Sequence, residues 1–280
     1  MNIPECIIAA LFAAAVFTII FRLKLSFRKT GGWAGGERGC EIGTSKTIGD
    51  REIQEDEFGV REAPEGTLAV LADGAGRGGG GKFAARTAVQ VFLDMFEDKN
   101  AFYNPQYYFR KSFQGANREI LNQVEEREGS AAVSAVLIKN RKLYYALAGN
   151  VKVAVYRNQE LVPVSTGHTI GELARQKYQE GKLKREEAKA LLEENRLYNY
   201  VGQDGFRDIE FFDAPITLYG GEYVLLMSDG LYDTVRWKDM EDCLGAGETC
   251  QEKAYRMIEL VNESREEGKD NASLVLLKIR

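Results

Sequence analysis

Apolar and polar positions follow two periods along this chain. Short aliphatic runs bounded by glycine or charge read as buried strands at Thr67 to Ala72, Ala131 to Ile138, Lys142 to Leu147, Lys152 to Tyr156, Tyr223 to Ser228 and Ala272 to Ile279. Glu41 to Gly49, Asp56 to Glu62 and Ile209 to Phe212 carry weaker strand patterns, and the first two are expected to form an antiparallel meander with the strand at Thr67. Helical spacing governs Gly81 to Asp98, Gln106 to Arg127 and Thr249 to Arg265. Turns at Asn140-Arg141 and Gly149-Asn150 link strands into consecutive hairpins, while the helices fall in separate blocks. That order predicts an α+β fold of antiparallel sheets covered by helices, not alternating βαβ units.

Two segments depart from the pattern. Gly167 to Gly202 is polar, charged and helical, and it is long for a connection inside a compact sheet, so it predicts an inserted flap. Cys6 to Phe21 is an uncharged apolar run, extendable to Leu25 if Arg22 and Lys24 snorkel, and it predicts a membrane span. Glu5 precedes this run, whereas Arg22, Lys24, Arg28 and Lys29 follow it, the reverse of a cleaved signal peptide. The positive-inside rule then places the rest of the chain in the cytoplasm. The expected organisation is an anchor over residues 1–29, a glycine-rich linker over 30–40 and one domain over 41–280.

Net charge of −5 argues against a general nucleic-acid binder. Cys6, Cys40, Cys243 and Cys250 form no C-x-x-C pair and His168 is the single histidine, which disfavours structural zinc and a disulfide framework. Acids are better placed. Asp73 follows the run at Thr67 and opens a loop almost without side chains, Asp229 ends the run Tyr223 to Ser228, and Asp270 precedes the last strand. Glycines from Gly74 to Gly81 let backbone approach a ligand closely. With Glu55 and Asp56 in the turn after Arg51, these carboxylates suit a hard cation such as Mg²⁺ or Mn²⁺.

Other motifs carry less. Gly76-x-x-x-x-Gly81-Lys82 opens like a phosphate-binding loop, but Phe83 stands where Ser or Thr would hold the ion. Cys250 and Arg256 have the spacing of a cysteine-dependent phosphatase inside a helical pattern, where amides cannot turn onto a phosphate. Asp229-x-x-x-Asp233 lacks the D-x-D spacing of aspartyl-phosphate enzymes. Ser45 and Ser134 occupy no nucleophile setting, and His168 reads as a loop residue.

Taken in order, R-x-x-x-E-D at Arg51 to Asp56, A-D-G-x-G at Ala72 to Gly76, the strand start at Gly129-Ser130, L-x-x-x-S-D-G-L-x-D at Leu225 to Asp233 and D-N-x-S at Asp270 to Ser273 resemble the protein phosphatase 2C family of metal-dependent PPM phosphatases. The resemblance covers Glu41 to Arg280, and the polar insertion is similar to the flap of bacterial members. It implies two packed antiparallel sheets flanked by helical layers, with a binuclear Mg²⁺ or Mn²⁺ centre at one end. Asp73 would bridge the ions, Asp229 and Asp270 would hold one, and Glu55 with the Gly74 carbonyl the other. Asp56 would orient water at the metal, and Arg51 would grip the substrate phosphate through a bidentate contact. Two ions about 4 Å apart supply hydroxide near neutral pH, so no nucleophilic side chain is needed.

Two departures stand out. Ala75 occupies the place of a histidine acid found in some eukaryotic members. Asn150, in Gly149-Asn150-Val151-Lys152, replaces the aspartate of the usual G-D-S-R, which with Asp229 and Asp233 contributes to a third, weaker ion site. A weakened third site is therefore expected, and a degenerate domain that binds phosphoproteins without hydrolysing them is the alternative to a membrane-tethered Ser/Thr phosphatase. Phosphorylated proteins, substrates of an opposing Ser/Thr kinase, are the implied partners.

Overall fold

The computed structural model describes residues 39–96, 101–122 and 128–280. The expected anchor and nearly all of the expected linker lie outside these residues. Among the described residues no helix is long and apolar enough to cross a membrane.

Two antiparallel sheets face each other. One holds β1 (Cys40–Thr47), β6 (Lys152–Arg157), β7 (Glu160–Pro163), β10 (Tyr223–Met227) and β11 (Ala272–Ile279), in the order β1-β11-β10-β6-β7. The other runs β2-β3-β4-β5-β8, built from β2 (Glu57–Ala63), β3 (Gly66–Gly76), β4 (Gly129–Lys139), β5 (Lys142–Ala148) and β8 (Glu210–Phe211), with β9 (Ile216–Thr217) also paired to β5.

The continuous apolar runs make sense in this arrangement, because the inner strands are buried on both faces. Along β10 and β11, Val224, Leu226, Val275 and Leu277 belong to the core shared with the other sheet. The alternate residues Leu225, Met227, Leu274 and Leu276 belong to a second core, under helix α7 (Cys250–Glu263), where Ala254, Met257, Ile258 and Val261 meet them. On the other side, α1 (Gly80–Met95) and α2 (Pro105–Leu121) cover β3 and β4. Phe92 is their joint: its ring meets Phe113 edge-on at 4.9 Å and its carbonyl accepts the Tyr108 hydroxyl at 2.7 Å.

Two expectations need correction. The strand at Thr67 does not stop at Ala72; pairing with β4 continues through Asp73↔Ala132 to Gly76↔Gly129, so Asp73 sits within the strand. Nor do the first three strands form a meander. β2 pairs with β3, but β1 pairs with β11 along its whole length, from Cys40↔Ile279 to Thr47↔Ala272, and so belongs to the opposite sheet. Local alternation fixes which face of a strand is buried and says nothing of which sheet receives it.

The polar segment is a helical hairpin of α3 (Ile170–Gln179) and α4 (Arg185–Leu191). Its roots are tied together, since the Ile170 N–H donates to the Arg196 carbonyl at 2.9 Å and Thr169 bridges Leu197. α7 opens with a capping box at Thr249 and Glu252, so the Cys250 and Arg256 spacing is indeed helical. Before it, α6 (Trp237–Gly245) ends on Lys253, whose buried ammonium donates to the carbonyls of Cys243, Leu244 and Ala246.

Candidate metal centre

The acids singled out in the sequence arrive at one place from four segments. Asp73 comes from β3, Asp229 from the first position of α5 (Asp229–Tyr232), Asp270 from the turn before β11, and Glu55 and Asp56 from the loop between β1 and β2. Asn271 holds that loop, accepting the Glu55 N–H at 2.7 Å and donating to the Ile48 carbonyl at 2.8 Å. The sequence motif contained Asn271 without revealing this task.

Their mutual proximity shows in their proton affinities. Burial, then Asp229 and Asp56, push the Asp73 carboxyl well above the usual carboxylate range. Burial raises Asp229 as well, with Asp270 adding to it. Asp56 is pushed up to about 7 by burial, with Asp229 and Asp270 adding, although Ser228 Oγ donates to its Oδ2 at 2.8 Å. Among the described residues its other oxygen, Oδ1, is buried without a hydrogen bond of ordinary geometry, with the Ser273 hydroxyl near enough to ease the shift. Ser228 also takes part in the pairing with Ser273, whose N–H donates to Ser228 Oγ at 2.8 Å. Sequence reasoning gave Ser228 no role, yet it sits inside the S-D-G motif.

Asp73, Asp229, Asp270 and Glu55 line a cleft of about 780 Å³. Asp56 lies behind the wall, against Ser228. Arg51 enters from the rim and donates to Asp270 Oδ2 at 2.7 Å. Glu55 accepts the Lys82 N–H at 3.3 Å, which places its carboxylate at the first turn of α1. Gly74 lines the cleft beside Asp73, and Ser130, also in the lining, lies across from Ala75 on β4. The far wall comes from the return of the helical hairpin, through Asn195, Arg196, Leu197 and Tyr200, which no sequence signal had marked.

Asn150 donates through Nδ2 to Asp229 Oδ2 at 2.9 Å, and its carbonyl accepts the Tyr232 hydroxyl at 3.0 Å. An amide at this position therefore supplies a proton where an aspartate would supply a charge. Asp233 stands at the end of α5, exposed, with its N–H on the Asp229 carbonyl at 2.9 Å. Lys152 rests 3.6 Å from the Tyr232 ring centre, and burial lowers its proton affinity against the pull of Asp233. His168 is a loop residue, buried, whose Nδ1 accepts the Gly149 N–H at 3.1 Å and lies 2.9 Å from Asn199 Nδ2, steadying the turn that carries Asn150.

The glycine run has a different physical basis from ligand approach alone. A methyl at Gly74 would strike the Gly81 carbonyl, and one at Gly80 would strike the Glu128 carbonyl. These positions let α1 start directly against β3 and β4. Only Gly78 (φ 58°) and Gly79 (φ 84°) have open surroundings, and both use the left-handed conformation that glycine tolerates.

The donor set suits a hard divalent cation. It offers carboxylate and carbonyl oxygen without thiolate or imidazole, together with an orphaned buried carboxylate oxygen and carboxyls that raise one another's proton affinity for want of positive charge. Among the described residues no three acidic, thiol or imidazole side chains close on a single point, so carbonyl and water oxygens would have to complete each coordination shell.

Comparison with known proteins agrees with this construction. Residues 42–263 match the family described as protein phosphatase 2C. The serine/threonine phosphatase stp of Listeria monocytogenes is 26% identical over 238 residues, covering 81% of this chain and 91% of that protein. Protein phosphatase PhpP of Streptococcus pneumoniae is 25% identical over 218 residues, covering 76% and 86%. The serine/threonine phosphatase of S. agalactiae superposes with a TM-score of 0.75 at 22% identity, over 86% of this chain and all of that one. The catalytic domain of the phosphatase PstP, in complex with two manganese ions, superposes with a TM-score of 0.67 at 22% identity, over 86% and 98%. With its two facing sheets, its acid-lined cleft and a family match spanning most of its length, this chain belongs to the protein phosphatase 2C family.

Proposed function

We propose that the chain hydrolyses phosphoserine and phosphothreonine in proteins with the help of two divalent cations, Mg²⁺ or Mn²⁺. The observation that carries this reading is the convergence of Asp73, Asp229 and Asp270 in one cleft, with Asp56 just behind it and Arg51 at its rim. The relatives named as serine/threonine phosphatases and the manganese complex of a protein with the same fold support it.

Asp73 would be shared between the ions, Asp229 and Asp270 would hold one, and Glu55 with the Gly74 carbonyl the other. Bound there, the ions would supply hydroxide near neutral pH and neutralise charge on the phosphoryl group. Arg51, held on Asp270, presents a planar fork that suits phosphate oxygens bidentately. Asp56, fixed by the Ser228 hydroxyl just behind the cleft, would orient water at the metal. Asn150 keeps one Asp229 oxygen occupied by a hydrogen bond, which weakens any third ion site shared with Asp233.

Phosphate release from an aryl phosphate and from a phosphothreonine peptide, with and without Mn²⁺, tests the reading. Metal-stimulated release that disappears in Asp73→Ala and Asp229→Ala but persists in Lys82→Ala is the expected result. Absence of metal-stimulated release from the wild-type chain would overturn it. The substitution at Asn150 favours one other reading, a phosphoprotein-binding domain without turnover, and that outcome would show as phosphopeptide binding with no release. We further propose that Cys6 to Phe21 tethers the domain to a membrane, with the domain on the cytoplasmic side.

A further inference from the structure

We propose that Arg196 selects substrates by binding an acidic side chain that flanks the phosphorylated residue. The inference rests on the phosphatase reading above and adds what the cleft recognises beyond the phosphate.

Three observations carry it. First, the cleft is too large for a phosphoserine side chain alone. Its volume of about 780 Å³ falls in the range that holds a drug-sized ligand, which leaves room for residues on either side of the phosphorylated one. Second, the two arginines that line it are not equivalent. Arg51 is committed to Asp270 at 2.7 Å, among the acids. Arg196 stands on the far wall, exposed, and its guanidinium makes no hydrogen bond or ion pair among the described residues. The nearby Glu194 accepts only the Arg196 backbone N–H, at 3.3 Å. Third, its backbone is fixed while its side chain is not. The Arg196 carbonyl accepts the Ile170 N–H at 2.9 Å, and the neighbouring Leu197 bridges Thr169, so the guanidinium is delivered from a firm root.

An exposed guanidinium without a partner among the described residues, on a residue that lines the same cleft as the acids, pairs best with a carboxylate carried by the bound peptide. Hard cations and Arg51 suffice for the phosphate at the floor. A basic flank would instead meet Arg196 as a like charge and be rejected. Across the rim the interaction discriminates modestly, by about fivefold, and weakens with salt.

Matched phosphothreonine peptides with Glu, Ala or Lys scanned through the positions either side of the phosphothreonine decide the matter. Each is assayed for kcat/KM with Mn²⁺, and non-hydrolysable phosphonate versions are assayed for binding by fluorescence anisotropy. Wild type should prefer a Glu flank at one or more positions by about fivefold over Ala in both readouts. Arg196→Ala should erase that preference and Arg196→Glu should reverse it toward Lys, while hydrolysis of a small aryl phosphate stays within twofold. An unchanged preference in Arg196→Ala overturns the inference. So does a parallel loss on the aryl phosphate, which would place Arg196 on the phosphoryl group itself. Failure of wild type to hydrolyse the aryl phosphate would count against the phosphatase reading, while the anisotropy measurement would still judge Arg196.

Discussion

At the residue scale the dominant fact is that several carboxyls share one small volume. Asp56, Asp73 and Asp229 all bind protons more tightly in the folded chain than an exposed aspartate does. Between pH 4 and about 7, the folded protein without metal therefore holds more protons than the unfolded chain, and its stability falls as pH rises through that window. We expect the metal-free protein to melt roughly 5–10 °C lower at pH 7.5 than at pH 5, by calorimetry, with Mn²⁺ recovering more at the higher pH because protons compete for the same oxygens. A flat or rising profile would mean the carboxyls do not repel one another. The same crowding sets a trade between stability and function. Asp73→Asn removes the cost of protonating or burying this carboxyl among its like neighbours and should stabilise the metal-free protein by about 1–3 kcal/mol in urea unfolding at pH 7. It should also lower metal-stimulated kcat/KM by about a thousandfold or more. Loss of stability in that variant would show instead that Asp73 holds the fold together.

At the scale of elements, the centre depends on how closely α1 begins against β3 and β4. Gly129 on β4 faces Gly80 on α1, and a methyl at Gly129 would run into the Gly80 carbonyl, a backbone atom with no freedom to swing away. Gly129→Ala should therefore cost roughly 2–4 kcal/mol in denaturant unfolding. It should also weaken Mn²⁺ binding measured by calorimetry, because Glu55 and Gly74 lie against the displaced first turn. Normal stability in that variant would remove the packing account of the glycines. Much of this was legible beforehand for a physical reason: Asp229 and Asp270 flank buried strands, Arg51 lies in a charged turn, and Asp73 adjoins a run of glycines. The strands themselves were legible because burial on both faces demands unbroken aliphatic runs. Partnership was not legible. The pairing of β1 with β11 joins segments more than two hundred residues apart, and alternation along either strand is the same whichever sheet accepts it. Ser228 and Asn271 were hidden for another reason, since a hydrogen bond to Asp56 or to the Glu55 N–H depends on three-dimensional approach. Arg196 and Tyr200 reach the cleft only because the helical hairpin folds back, and nothing in their local sequence signals that return.

At the scale of the whole molecule, the described fold begins where β1 does. Cys40 pairs with Ile279, and the family match starts at residue 42, so every described strand lies within residues 39–280. The apolar run from Cys6, continued to Leu25, reaches about 30 Å as a helix, which is the thickness of a bilayer core. A fragment of residues 39–280 tests the proposed anchor and the independence of the domain at once. It should melt within about 2 °C of the full chain and hydrolyse an aryl phosphate at the same Mn²⁺-stimulated rate, because every described strand and helix is retained. The full chain should float with phospholipid vesicles in a density gradient while the fragment stays at the bottom. Equal flotation of the two would end the case for the anchor. A fragment that melts much lower would show that the first thirty-eight residues contribute to the fold, since the pairing of β1 with β11 would then be insufficient to close the sheet.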